Sequence, residues 1–361
     1  MKVMTILGTR PEIIKMWPVL VKLDELNFTH IMVHTGQNPT REMKDFFFRD
    51  LKLRNPDYYL NIDISSYGRE IAEVIKKTDE LFIKVKPDAL IVLGDTNSGL
   101  SVLPASHHGI KIFHMEAGLR AWDNRMPEQR NRILIDHLSD ILLPFNRHHR
   151  ENLIREDIHP SKIFLTGNPT FETMWTFQEE IKQSEILKKL KLKPKEYISL
   201  TAHRKETVDD PKTLQSILDG VGLVAKKLKK EVIYPMHPRA KNKMAGRRIP
   251  KGIRIINPLG FYDFNSLSLN ALCLMADSGT TPEESLFYKV PCVSIRKTSE
   301  RYETLEAGAH IVSGIKKEEI YEAVLTAIHL PWKARYDLGE NFSPGNVVIN
   351  VLRSQMQHFF E

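Results

Sequence analysis

Three carboxylates in the first half of this 361-residue chain have the types and positions that proton transfer requires. Asp95 stands in "GDTNS", just past the apolar run "ALIVL", and Glu116 stands in "HMEAG", just past "KIFHM". Glu128 follows Pro127 among Arg120, Arg125, Arg130 and Arg132. Asp95 could serve as the N-cap of a helix beginning near Thr96, and Glu128 could favour a helix N-terminus, whereas Glu116 has no such structural explanation. Carboxylates gathered in one pocket raise one another's pKa, which provides both a base and an acid near neutral pH.

The second half carries groups suited to an anion. "TAHRKE" sets His203 and Arg204 at the end of one apolar run, and "MHPR" sets His237 at the end of the next. "ADSGTTPEES" ends a run in a Ser278-Gly279-Thr280 turn that leads into a helix, offering backbone N–H groups and a hydroxyl to a diphosphate. Glu284, on the first turns of that helix, could accept the two hydroxyls of a ribose, and Arg301 opens a later helical segment. Near the chain start, "LGTRPEIIK" places Arg10 at a helix N-terminus and Lys15 a turn later. A dinucleotide site would need G-x-G-x-x-G here, so hydride chemistry is disfavoured. No histidine or cysteine pair has ligand spacing, so no metal is expected.

These groups need elements to hold them. Short β-branched runs alternate with longer amphipathic stretches: "VMTIL", "HIMVHTG", "DALIVLGD", "KIFHMEA", "DILLPF" and "KIFLTG" in the first half, then "YISLTAH", "EVIYPMH", "IRIINP", "ALCLMADSG", "PCVSIRK" and "HIVSG". Continuous apolar strands between helices predict parallel sheets covered on both faces. Two sets predict an α/β protein of two doubly wound, Rossmann-like domains facing across a cleft, with ligands beyond the carboxyl ends of the strands. The boundary is placed near residue 168, giving domains 1–168 and 169–344, with a last helix over 345–361 packing on the first.

Composition fits such an enzyme: 42% hydrophobic, 27% charged. The net charge of +7 comes largely from "KKLKLKPK" and "KKLKK". These read as solvated helix faces, because no aromatic residues interleave to stack bases; no nucleic-acid partner is expected. Cys273 and Cys292 lie in apolar runs and read as reduced core thiols. Neither a signal peptide nor a membrane-length apolar run is evident, so a cytoplasmic location is expected.

As a set, "GTRPEIIK", "GDTN", "HMEAGLR", "RMPEQRNR", "AHRKE", "DSGTTPEE" and "ER" resemble the signature of the non-hydrolysing UDP-N-acetylglucosamine 2-epimerases, over nearly the whole chain from Met1 to about Gly308. The resemblance implies the two-Rossmann-domain GT-B fold and a cofactor-free inversion at C2 of a UDP-2-acetamido sugar, through loss of UDP to a glycal and its re-addition. It implies acid–base roles for Asp95, Glu116 and Glu128, and a place for His203 near the leaving diphosphate. Arg10 and Lys15 match substrate-binding positions. Ser278, Gly279, Glu284 and Arg301 match the UDP pocket, with Phe264 near the uracil, and a homodimer is implied. The chain departs from the family in reading "SGT" for "SGG" and "ERYE" for "ERPE", and it lacks the Gln-His pair of allosterically activated members. "HTGQN", "GDTNS", "PLGF" and "DHLSD" look more like the capsule and O-antigen branch acting on UDP-2-acetamido-6-deoxy sugars. A retaining glycosyltransferase of the same fold and a non-catalytic binder are the competing classes.

Overall fold

The computed structural model describes residues 1–37, 47–123, 126–236, 240, 243–244, 246–330 and 342–357. Its backbone forms two compact units, Met1–Trp175 with Gly339–Glu361, and Thr176–Leu338.

The first unit is built on β1 (Lys2–Leu7), β2 (Thr29–His34), β3 (Tyr58–Tyr59), β4 (Ala89–Leu93), β5 (Lys111–Met115) and β6 (Ile141–Leu143), in the order β3-β2-β1-β4-β5-β6. The second is built on β7 (Tyr197–Thr201), β8 (Glu231–Pro235), β9 (Ile253–Ile256), β10 (Cys273–Ala276), β11 (Cys292–Ser294) and β12 (His310–Val312), in the order β9-β8-β7-β10-β11-β12. Every ladder is parallel. Both units therefore share the doubly wound order in which the winding reverses between the first strand and the fourth. The reversal lies between β1 and β4 in one sheet and between β7 and β10 in the other, and such switch points are where open α/β sheets bind ligands.

The apolar runs form strands because both faces of each sheet are covered. Met4, Ile6, Leu90, Val92 and Ile112 pack against Leu81, Phe82, Val102 and Ile135 in the first unit. Ile198, Leu200, Val232 and Met275 pack against Leu214, Val221, Ile320 and Val324 in the second. Cys273 and Cys292 are buried free thiols of adjoining strands.

One expected strand is corrected. "KIFLTG" contributes a single parallel bridge, Ile163 to Leu142. A 3-10 turn at Pro160–Lys162 delivers the chain there, and Gly167 then turns it away at φ 78°. The sixth strand of that sheet is the two-residue Tyr58–Tyr59 on its far edge, too short to leave an alternating pattern.

The last helix, Pro344–Gln357, buries Val348, Leu352 and Met356. Glu172 anchors its start: Oε1 accepts from Lys22 Nζ and Ser343 Oγ, each at 2.7 Å, and Oε2 accepts from Gly345 N at 2.8 Å. Among the described residues, no helix is long and apolar enough to cross a membrane.

Candidate active site

In the first unit the polar groups collect where β1, β4 and β5 end. Glu116 directly follows β5 and is buried, with its backbone in the left-handed region at φ 60°. Its Oε1 accepts from Lys15 Nζ, and its Oε2 accepts from Arg132 Nη2 at 3.2 Å. The same Nη2 donates to Asp95 Oδ2, and Nη1 donates to the Glu116 carbonyl oxygen at 2.6 Å. One guanidinium thus holds both carboxylates. Lys15 and Arg132 are each only 2% exposed, so both cations meet these carboxylates out of contact with bulk water. Asp95, whose side chain keeps 29% of its surface accessible, is the more open of the two acids. It is not an N-cap, because Thr96 occupies that position of the following 3-10 helix and the Asp95 carboxylate turns to Arg132.

Arg132 reaches the site from the helix Pro127–Leu138, whose first residue is a proline set for N1. Asn131 of that helix donates to the Asp95 carbonyl oxygen at 3.1 Å and to Asn97 Oδ1 at 3.0 Å. Glu128 is exposed on the first turn, four residues before Arg132 and so on the same helix face. The structure brings Asp95 and Glu116 together on Arg132, while Glu128 stands exposed on the first turn of that helix.

Beneath the acids lies a buried ionic chain. His114 Nε2 donates to the Gly94 carbonyl oxygen at 2.8 Å, and its Nδ1 pairs with Asp136 Oδ1 at 2.7 Å. Asp136 Oδ2 meets Arg120 Nη2 at 2.7 Å, and Arg120 Nε donates to Glu156 Oε1 at 2.8 Å. Burial alone would raise the Asp136 carboxyl, but His114 and Arg120 hold it below the usual carboxylate range.

Arg10 is the first residue of the helix Arg10–Glu25, with its guanidinium 5.2 Å from the centre of the Phe47 ring. Glu12, two residues on, is buried and accepts from Gly8 N at 3.0 Å, from Thr9 N and Thr9 Oγ1 at 2.7 Å, and from Thr96 Oγ1 at 2.8 Å. Burial pushes this carboxyl up to about 7, against the hydroxyls and amides that pull it down.

In the second unit, His203 and Arg204 follow β7, and their backbone N–H groups donate to Asp277 Oδ2 at 2.8 and 2.9 Å. Asp277 follows β10 and is fully buried; its Oδ1 lies 3.6 Å from His203 Nδ1. Ser278 Oγ accepts from Thr280 N at 3.2 Å and lies 2.9 Å from Thr280 Oγ1, shaping the turn into the helix Thr281–Tyr288. Gly279 is closely approached by two side chains: a β-carbon there would stand 2.5 Å from Glu300 Oε1 and 3.1 Å from Arg204 Nη2. Arg301 is buried rather than a surface residue, donating from Nε to the Gly279 carbonyl oxygen at 2.8 Å and pairing with Glu283 at 2.9 Å. Glu300 accepts from Arg204 at 2.9 Å and Arg296 at 2.8 Å. Burial raises its carboxyl, but Arg204, Arg296 and Arg301 outweigh burial and hold it well below the usual range. Glu284 is buried on the first turn of Thr281–Tyr288, and Phe264 is buried in the helix Phe261–Leu269. His237 lies outside the described residues.

Sequence reading did not single out Glu12, Asp277 or Glu300, nor Arg132 from among its neighbouring arginines. Two signals were present: the Thr-x-x-Glu spacing of a capping box at Thr9–Glu12, and the four-residue step from Glu128 to Arg132.

The family model described as UDP-N-acetylglucosamine 2-epimerase matches residues 22–353. A UDP-N-acetylglucosamine 2-epimerase of Methanocaldococcus jannaschii is 35% identical over 98% of this chain and 99% of its own length. A crystal structure of the M. jannaschii UDP-GlcNAc 2-epimerase in complex with UDP-GlcNAc and UDP superposes with a TM-score of 0.93 at 34% identity, covering 98% of this chain and 100% of that one. A UDP-2,3-diacetamido-2,3-dideoxy-D-glucuronate 2-epimerase of Pseudomonas aeruginosa is 32% identical over 91% of this chain and 92% of its own length. With a family model spanning most of its length and relatives matching end to end, the chain belongs to the UDP-N-acetylglucosamine 2-epimerase family of isomerases.

Proposed function

We propose that the protein inverts C2 of UDP-N-acetylglucosamine, giving UDP-N-acetylmannosamine without a cofactor. A carboxylate takes the C2 proton while the C1–O bond to UDP breaks. The C2–H electron pair becomes the double bond of a glycal, and UDP departs with the C1–O pair. Proton delivery to the other face of C2 and return of a diphosphate oxygen to C1 complete the epimer, with no net oxidation. The observation that carries this reading is the Arg132 guanidinium shared by Asp95 and Glu116, because inversion needs proton transfer on both faces of one carbon.

In this reading Asp95, Glu116 and Glu128 move protons, and Arg10 and Lys15 hold the substrate. His203, set by Asp277, serves the leaving diphosphate together with Arg204, His237 and Arg301. Ser278, Gly279 and Thr280 seat the diphosphate, Glu284 the ribose and Phe264 the uracil. The active species is a cytoplasmic homodimer, which sedimentation of the purified protein checks.

Incubation with UDP-N-acetylglucosamine in D₂O, followed by proton NMR, tests the assignment: a manno product carrying deuterium at C2 supports it, and the absence of both epimer and exchange overturns it. The "HTGQN" and "DHLSD" stretches favour a second reading, with UDP-2-acetamido-2,6-dideoxy-talose as substrate and UDP-N-acetylfucosamine as product. The same assay on that sugar and on a 2,3-diacetamido uronate decides between substrates. Transfer of the sugar to an acceptor by a Glu116→Gln variant would favour a glycosyltransferase instead.

A further inference from the structure

The turn that carries Asp95 is gripped from two sides. The helix Pro127–Leu138 holds it through Arg132 and Asn131. On the other side, Glu12 of the helix Arg10–Glu25 receives the Thr96 hydroxyl on Oε1, while its Oε2 gathers the amides of Gly8 and Thr9 and the Thr9 hydroxyl. A capping box accounts for the Thr9 amide alone. The Gly8 and Thr96 contacts extend past it, the second across 84 residues to the neighbouring strand end.

The second unit solves the same topological problem with a different residue. There Asp277, which follows β10, accepts the amides that follow β7. In each unit a buried carboxylate of the chain fills the turn after the first strand and fastens it to the strand end across the switch point. In the first unit that fastening joins the turn leading into Arg10 to the turn bearing Asp95.

We propose that Glu12 is a positioning residue for the acid–base chemistry, its carboxylate and the Thr96 hydroxyl forming a cross-tie that fixes Asp95 relative to the Arg10 turn. This rests on the epimerase reading for its kinetic consequence, though the tie itself is independent of what the site turns over. Glu12 does not touch the reacting atoms; it acts through Thr96 and the backbone. A misplacement of a proton-transfer group by a fraction of an ångström lowers turnover while leaving binding groups elsewhere untouched.

The test uses Thr96→Val, which deletes the tie while leaving the Glu12 cap, Thr96→Ser, which restores a hydroxyl, and Glu12→Gln. Thr96→Val is expected to lower kcat roughly 10- to 100-fold, with KM and UDP affinity within about twofold of the parent, and Thr96→Ser to recover most of that loss. Glu12→Gln combined with Thr96→Val is expected to be no worse than Glu12→Gln alone, because the Thr96 contact is among those that Glu12→Gln already disturbs. Hydrogen exchange supplies a readout apart from turnover: peptides covering 8–12 and 94–98 should both exchange faster in Thr96→Val. An inactive parent would overturn the epimerase reading and leave exchange to judge the tie. Thr96→Val with kcat within twofold of an active parent, Thr96→Ser as impaired as Thr96→Val, or unchanged exchange in both peptides would overturn the proposal.

Discussion

Gly94 and Glu116, the residues that follow β4 and β5, both hold left-handed backbone, at φ 74° and 60°, and a β-carbon on Gly94 would stand 3.2 Å from Glu116 Oε2. The Gly94 amide donates to the Met115 carbonyl oxygen at 3.0 Å, so the two strand ends are stitched at the point where they crowd. Gly94→Ala therefore meets backbone strain and the carboxylate together. It is expected to cost about 1–2 kcal/mol of stability, from the left-handed conformation alone, and to lower kcat more than it raises KM. Denaturant unfolding and steady-state kinetics check the two effects separately.

Glu116 is the buried anion between two cations. Glu116→Gln should lower kcat by roughly 10²- to 10⁴-fold, the range associated with loss of a general acid or base. It should also destabilise the protein by about 3–5 kcal/mol, because the buried Lys15 ammonium loses its contact with a carboxylate. Adding Lys15→Met should return part of that stability and none of the activity. A double-mutant cycle by thermal unfolding reads the coupling.

Arg132→Lys keeps the charge and loses the fork. One ammonium cannot reproduce two guanidinium nitrogens serving Asp95, Glu116 and the Glu116 carbonyl oxygen. A kcat loss of at least about tenfold is expected, with UDP affinity unchanged in calorimetry. Equal loss of UDP affinity would show that the arginine serves binding instead.

Glu300 sets an acid limit on stability. Its folded-state pKa lies below its unfolded value, so the folded protein binds the proton more weakly. The stabilisation is complete above about pH 4.5 and is lost as pH falls from there toward the folded pKa. Glu300→Gln should lower the melting temperature markedly at pH 7, where Arg204 and Arg296 lose their anion, and the gap to the parent should shrink as pH drops below 4.5. Melting curves from pH 7 to pH 3 measure it; a constant gap would rule out the linkage.

Strand ends were the legible part of the site. A buried parallel strand announces itself as an unbroken apolar run, and the first few polar residues after it are where side chains of an open sheet meet ligands; that logic led to Asp95, Glu116, His203 and Ser278. It is silent about groups that arrive from a neighbouring element. Arg132 was hidden among arginines whose directions depend on one helix's rotation, and Glu300 gains its meaning from Arg204, 96 residues away. Asp277 was in view as the residue before Ser278, but its hold on the His203 and Arg204 amides appears only once β7 and β10 are known to be neighbours. "KIFLTG" misled because a run of three apolar residues satisfies the pattern while pairing through a single bridge only, whereas Tyr58–Tyr59 pairs without satisfying it.

The Glu172 anchor has a consequence for biosynthesis. The helix Pro344–Gln357 belongs to the first unit, yet the ribosome makes it after every strand of the second. A nascent chain that has already emitted β1 to β6 must wait through more than half of translation before Ser343 and Gly345 reach Glu172. Until then the surface that Val348, Leu352 and Met356 will cover stays open to chaperones, and a stop codon ahead of Pro344 would leave the first unit unfinished.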